Sequence, residues 1–212
     1  MDDDELVRVL TALSVSKTET NFPAAMRFLM LTATRLNETC EATWSEFDLE
    51  AGVWTIPGHR IKNTKPGEIR GDHVLDLSAQ ALAILKQQQM KITKRSEIVF
   101  PNKAGNPFCE GNWRRFRLEI QELSKTTRWH CHDLRCTMTT QLERHFGYHT
   151  DTLSALLNHV VGTHLDGTYT VAPKYRPEVK QAMQQYADLL DTLCEESKKK
   201  PQSKVVDELV EA

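Results

Sequence analysis

A mainly α-helical domain carrying one small antiparallel β-sheet is the fold class this sequence predicts. Apolar residues recur at helical spacing along most of the chain, and a pair of strand-like alternating stretches appears at 52–57 and 73–77. With 212 residues, 40% of them hydrophobic, the chain can build one core; residues 1–197 are read as that domain and 198–212 as a linker and C-terminal tail.

The acidic run Asp2 to Asp4 caps a first helix whose Leu6, Val9, Leu10 and Leu13 form an apolar stripe. A polar break at Ser14 to Thr20 precedes a second helix starting near Phe22. Its run Phe28-Leu29-Met30-Leu31 leads into Thr32-Ala33-Thr34-Arg35-Leu36-Asn37-Glu38, so Arg35 is expected at the far end of a mostly buried helix, where a charge needs a purpose. Gly52 to Pro57 and His73 to Leu77 then alternate as a hairpin, joined by a long polar loop with Lys62, Lys65 and Arg70. Ser78 caps the next helix, with Leu77 and Leu82 as a hydrophobic staple and Leu85 continuing the stripe. Ile98-Val99-Phe100-Pro101 reads as a short strand or buried turn. A helix around Trp113, Phe116, Ile120 and Leu123 leaves Arg114, Arg115 and Arg117 on its other sides. Leu134, Met138 and Leu142 mark another, which Gly147 terminates. Thr150 caps one running through Leu153, Leu156 and Leu157 to His159, and Pro177 opens a long last helix with Val179, Met183, Tyr186 and Leu190 inward.

Five scattered cysteines (Cys40, Cys109, Cys131, Cys136, Cys194) without a CxxC pair argue against a disulfide framework or a zinc ribbon and for a reducing compartment. No run of eighteen apolar residues occurs, and the start Met1-Asp2-Asp3-Asp4-Glu5 is the reverse of a basic signal-peptide start. A soluble cytoplasmic protein without membrane contact is expected. The net charge of -2 hides an asymmetry: between Arg60 and His145, 16 Lys+Arg face 9 Asp+Glu, while acids collect at both ends. Such a centre is either an ordinary solvated surface or a face for phosphates.

His132 and Arg135, three apart, project from one face of a helix about a turn from each other. The spacing alone is common. Together with Arg35, Lys62, His159 and Tyr169 it supplies the arginines, lysine, histidines and tyrosine that phosphoryl transfer without a metal requires. No cofactor is expected, and no metal: His130, Cys131, His132 and Cys136 lack zinc spacing and adjacent residues point apart. Tyr175 stays open as a rival to Tyr169, and Lys65 as a rival to Lys62. Trp54, Trp113 and Trp129 read as core residues.

Thr-Ala-Thr-Arg-Leu-Asn-Glu (32–38), Trp-Ser-Glu-Phe-Asp-Leu (44–49), Val-Trp-Thr-Ile-Pro (53–57), His-Asp-Leu-Arg (132–135), Leu-Leu-Asn-His (156–159) and Tyr169 fall in the order found in phage and genomic-island integrases. From about Phe22 to Leu190 the chain resembles the catalytic domain of these tyrosine site-specific recombinases. The resemblance implies the DNA breaking-rejoining fold and site-specific integration through a 3' phosphotyrosyl intermediate. It makes Arg35 and Arg135 the paired arginines, Lys62 the hairpin lysine, His132 and His159 the histidines, Glu38 a supporting acid and Tyr169 the nucleophile. Lys65, Arg70, Arg114, Arg115 and Arg117 are expected to contact DNA. The implied partners are double-stranded attachment sites, further copies in a homo-tetramer, and accessory DNA-bending proteins. The bacterial or phage-encoded protein would work on the nucleoid. Family members also carry an N-terminal helical DNA-binding domain, which nothing here resembles, so a catalytic-domain piece is expected. Ala33 and Asn158 stand where the family usually has glycine, and Cys136 where a basic or polar residue is common. These departures leave open a catalytically impaired DNA-binding fragment. Two further rivals are a relaxing type IB topoisomerase, with the same chemistry and no site preference, and a metal-dependent nuclease.

Overall fold

The computed structural model describes residues 1–18, 21–61, 71–91, 96–158 and 176–199. Helix α1 (Asp3–Val15) opens with a capping box in which the Asp2 carboxylate accepts from the Glu5 amide at 2.8 Å and Glu5 answers toward the Asp2 amide at 3.1 Å. Its stripe Leu6, Val9, Leu10 and Leu13 is buried. Helix α2 (Phe22–Thr32) begins with Pro23 in its first turn, where the missing amide costs nothing, and is buried almost all round. It ends at Ala33, which takes a left-handed φ of 48°. This corrects the expectation for Arg35: the reversal at Ala33 stops α2 early, and Arg35 starts the next helix, α3 (Leu36–Cys40), as its N-cap.

A 3₁₀ turn at Trp44–Glu46 leads into a three-stranded antiparallel sheet of β1 (Phe47–Asp48), β2 (Val53–Ile56) and β3 (His73–Asp76) in that spatial order. The register pairs Phe47 with Trp54, Val53 with Asp76 and Ile56 with His73. The hairpin of β2 and β3 lies where alternation placed it, whereas β1, only two residues long, left no periodic signal. A second 3₁₀ turn, Gly58–Arg60, leaves the sheet, and Asp72 accepts from the Gly58 amide at 2.9 Å, tying that turn to the start of β3. Trp54 joins sheet to helices: its indole stacks on Phe47 with ring centroids 5.1 Å apart and meets Phe28 of α2 at 5.4 Å. Fully burying such side chains is worth about 1.5–3 kcal/mol each.

Helix α4 (Ala79–Lys91) is capped by Ser78, whose hydroxyl accepts from the Ala81 amide at 3.3 Å. Ile98 forms an isolated bridge with Thr43, and Val99 and Phe100 are buried beside it. Helix α5 (Glu110–Leu123) docks through Trp113 and Phe116 on Phe22, at 5.1 and 4.8 Å between ring centroids. Helix α6 (Asp133–Phe146) ends at Gly147, left-handed at φ 69°. Helix α7 (Thr150–Leu156) is capped by the His149 imidazole, which accepts from the Asp151 amide at 3.4 Å, one residue before the expected cap Thr150. The helix stops at Leu156, short of His159, because Asn158 turns left-handed at φ 52°. Helix α8 (Arg176–Lys199) buries Val179, Met183, Tyr186 and Leu190 against α1, α2, α6 and α7, and it continues two residues past Ser197. Arg176, its first residue, donates to Asp76 of β3 at 3.0 Å. Among the described residues, no helix is long and apolar enough to cross a membrane.

Candidate active site

Arg35 sits where backbone and side chain are held by one carboxylate. Its amide donates to Glu38 Oε2 at 2.7 Å, and its Nη1 donates to Glu38 Oε1 at 2.9 Å. Glu38 is 2% exposed while the Arg35 side chain is 26% exposed, so the acid is spent inward and the guanidinium still reaches solvent. A file of hydroxyls pins the turn behind them: Thr32 donates to the Phe28 carbonyl at 2.9 Å, Thr34 lies 3.1 Å from Thr32, and Thr39 lies 2.8 Å from Thr34.

Arg135, on the first turn of α6, is 3% exposed. Its Nη1 donates to the Ala33 carbonyl and its Nη2 to the Leu157 carbonyl at 2.9 Å. Both carbonyls belong to left-handed turns, at Ala33 and just before Asn158, so one guanidinium ties α6 to the ends of α2 and α7. These are two of the positions where the family resemblance favours glycine. Ala33 adopts the conformation without it at a cost of about 1–2 kcal/mol, and Asn158 more cheaply because asparagine tolerates that region. Burial first, then the positive charge of Arg35, push Arg135 down to about 10, while Glu38 acts in the opposite direction. Its Nε is buried and has no hydrogen-bond partner among the described residues. A cation kept dry with a spare donor is suited to an anionic ligand.

His132 is the exposed N-cap residue of α6, one turn before Arg135 as the spacing predicted. The segment before it is fixed from below, because Arg117 and Gln121 of α5 donate to the Trp129 carbonyl at 2.6 and 2.7 Å. The Trp129 indole donates to Thr126 at 2.9 Å. Arg35, Glu38, His132 and Arg135 all line one open cleft of about 1160 Å³. Arg60, Arg114 and Arg117 add positive charge to its wall, and Glu41 and Glu110 negative charge. Arg115 is exposed but is not part of that wall. Trp54, Trp113 and Trp129 are all buried.

The expected site residues Lys62, Lys65, Arg70, His159 and Tyr169, together with Tyr175, lie outside the described residues. The two described tyrosines are occupied elsewhere. Tyr186 is buried in α8 with its phenol pushed up by burial, and Tyr148 donates to Gln185 at 2.7 Å. Neither lines the cleft. Burial pushes the Cys131 thiol, beside His132, up to about 11 and Cys40 up to about 12, which keeps both unreactive near neutrality.

Several residues around the site escaped the sequence reading: Arg60 and His59 in the cleft wall, Glu46 behind Arg60, and His73 on β3. His73 is buried, and burial, then Arg135 and Arg35, push its imidazole down to about 3. Strand parity carried the signal for it, since His73, Leu75 and Leu77 share one face and all are buried.

A profile described as the phage integrase family matches residues 1–175. Among curated proteins, "Prophage integrase IntA" of Escherichia coli (strain K12) is 27% identical over 187 residues, covering 88% of this chain and 43% of that protein. The chain thus spans less than half the length of that relative. Among solved structures, XerA recombinase superposes with a TM-score of 0.59 at 16% identity, over 95% of this chain and 65% of that one. XerH site-specific recombinase, in a pre-cleavage complex with its difH substrate, gives 0.57 at 20% identity, over 76% and 47%. At these identities the structural likeness shows the fold.

Proposed function

Because this chain belongs to the phage integrase family, we propose that it cleaves and rejoins duplex DNA at specific attachment sites through a tyrosine–phosphate ester. The observation that carries the reading is the cleft in which Arg35, fixed by Glu38, and Arg135, fixed on two carbonyls, stand beside His132. Two guanidiniums suit the non-bridging oxygens of a phosphodiester as negative charge grows there, and loss of one such preorganised donor typically costs about 100- to 1,000-fold in rate. Lysine would not reproduce their forked geometry.

The nucleophile is Tyr169. Both described tyrosines are committed to other partners or to the core, which supports the choice of the segment holding Tyr169 and Tyr175. In the forward step the phenolic oxygen bonds to phosphorus, the P–O5' bond breaks, and the phenolic proton passes to His132. With a pKa of about 10, tyrosine needs such a base near neutrality. Lys62 protonates the departing 5' oxygen, His159 and Glu38 support the phosphate-binding groups, and Lys65, Arg70, Arg114, Arg115 and Arg117 hold the DNA backbone. The ester conserves the energy of the broken bond, so a 5' hydroxyl from another strand reverses the step. Residues 1–197 form this catalytic unit, which acts in the cytoplasm as a tetramer on paired sites, with accessory DNA-bending proteins and with 198–212 as a tail.

The impaired-fragment reading rested on Ala33, Cys136 and Asn158, and two of the three, Ala33 and Asn158, take the left-handed backbone that glycine would have supplied. The test is incubation with supercoiled plasmid carrying candidate attachment sites in EDTA, followed by a detergent quench. Protein covalently joined to DNA, absent with Tyr169→Phe, is expected. Binding without any adduct would return the protein to the impaired-fragment class, and adducts spread at random would favour relaxation.

A further inference from the structure

We propose that Arg60 is a positioning residue of the active centre, fixing α3 and therefore the Arg35–Glu38 pair against the sheet. The inference rests on the reading of that pair as phosphate-stabilising machinery. Arg60 ends the 3₁₀ turn after β2, and its side chain is only 11% exposed although it borders the cleft. Its Nη1 is paired with Glu46, its Nη2 donates to the Glu38 carbonyl at 2.7 Å, and its Nε lies 4.0 Å from Glu41. Glu46 is itself buried and accepts from the Trp54 indole at 2.8 Å through its other oxygen. One guanidinium thereby joins the core tryptophan of β2 to the backbone of the very residue that holds Arg35.

The Glu38 carbonyl needs such a donor. In a longer helix the Ala42 amide would take it, but α3 ends at Cys40 and that amide turns to Thr39 at 3.4 Å. A cation at the C-terminal end of a helix is also favourable electrostatically. Both terminal nitrogens of Arg60 are committed inward, to Glu46 and to the Glu38 carbonyl, which separates it from a DNA-contacting arginine. A lysine, with one compact ammonium, cannot bridge Glu46 and the Glu38 carbonyl in the same way.

The experiment compares the full chain with Arg60→Ala and Arg60→Lys on a half-site duplex taken from an attachment site that the parent protein cleaves. Single-turnover cleavage is measured with three scissile groups: an ordinary phosphate, a methylphosphonate in which a neutral methyl replaces one non-bridging oxygen, and a phosphate with sulfur at the 5' bridging position. Misplacing Arg35 should slow Arg60→Ala about 100-fold on the ordinary phosphate. The deficit should shrink on methylphosphonate, which develops less charge for arginine to neutralise, and persist with bridging sulfur, which needs no proton to leave. Affinity and its salt slope should stay at the parent's values, and Arg60→Lys should recover little of the rate.

Cleavage at the parent's rate overturns the inference. So does a salt slope reduced by about one, the mark of a lost phosphate contact. Rescue by bridging sulfur would assign Arg60 to leaving-group protonation, and an equal deficit on all three substrates would assign it to general stability. If Arg60→Ala does not fold, Glu46→Gln, which weakens the same link from its other side, is judged by the same comparison. Failure to find any candidate attachment site that the parent cleaves would sink the reading of the cleft itself, whereas an active parent with an unaffected variant sinks this inference alone.

Discussion

Arg135→Lys keeps the positive charge and removes the fork. A single ammonium can satisfy one of the two carbonyls that Arg135 holds, Ala33 or Leu157, and leaves the other buried without that donor. Hydrogen bonds from charged donors are worth about 1.5–3 kcal/mol each, so the variant should lose about 2 kcal/mol of stability. For a chain of this length each kcal/mol moves Tm by about 2–4 °C, which places the expected fall at about 4–8 °C. The pH dependence adds a second signature. The site pushes Arg135 down to about 10, and the same burial would push a lysine at this position below its usual ~10.4. Between a lowered folded-state value and the ordinary unfolded one, the unfolded chain binds more protons than the folded one, so stability must rise with pH. Thermal and urea unfolding at pH 7 and pH 9.5 therefore provide the assay, with covalent cleavage run in parallel. The variant should regain stability at the higher pH relative to the parent while its cleavage stays depressed. An unchanged Tm at pH 7 would refute the claim that Arg135 joins three elements, and a flat pH response would refute its burial as a charge.

His73 gives a complementary acid signature. Its folded-state pKa of about 3 lies below the unfolded value, so the unfolded chain takes up the proton first and stability falls as pH drops from about 6.5 toward 3. From pH 6.5 to pH 5 the loss should reach about 1.6 kcal/mol, and urea titrations should show His73→Gln with a flatter profile; identical profiles would remove His73 as the cause. Gly147→Ala meets open space but keeps a φ of 69°, so it should cost about 1 kcal/mol by chemical denaturation with cleavage unaffected; an unchanged midpoint would contradict the strain argument.

Where burial repeats along an element, the sequence was a good guide. The stripes of α1, α5, α6 and α8 and the parity of β2 and β3 follow from periods of 3.6 and 2, which any buried face imposes. Arg35 was misplaced because nothing periodic announces that Ala33 turns left-handed, a conformation that alanine rarely adopts. Arg60 was missed for a different reason. Its partners Glu46 and the Glu38 carbonyl lie 14 and 22 residues away, and only the fold brings them together. Glu46 could have raised the question, since an acid inside a Trp-Ser-Glu-Phe run next to a strand needs a cation if it is buried.

Bonding of a tyrosine oxygen to the DNA phosphate is read most directly by mass spectrometry of the adduct after nuclease and trypsin digestion. Trypsin cuts after Lys174, so Tyr169 leaves in the peptide from His145 to Lys174 while Tyr175 begins the next one. A nucleotide mass is expected on the first peptide, with fragment ions placing it on Tyr169 rather than Tyr148. The same mass on the peptide that begins at Tyr175, or on no tyrosine, would contradict it.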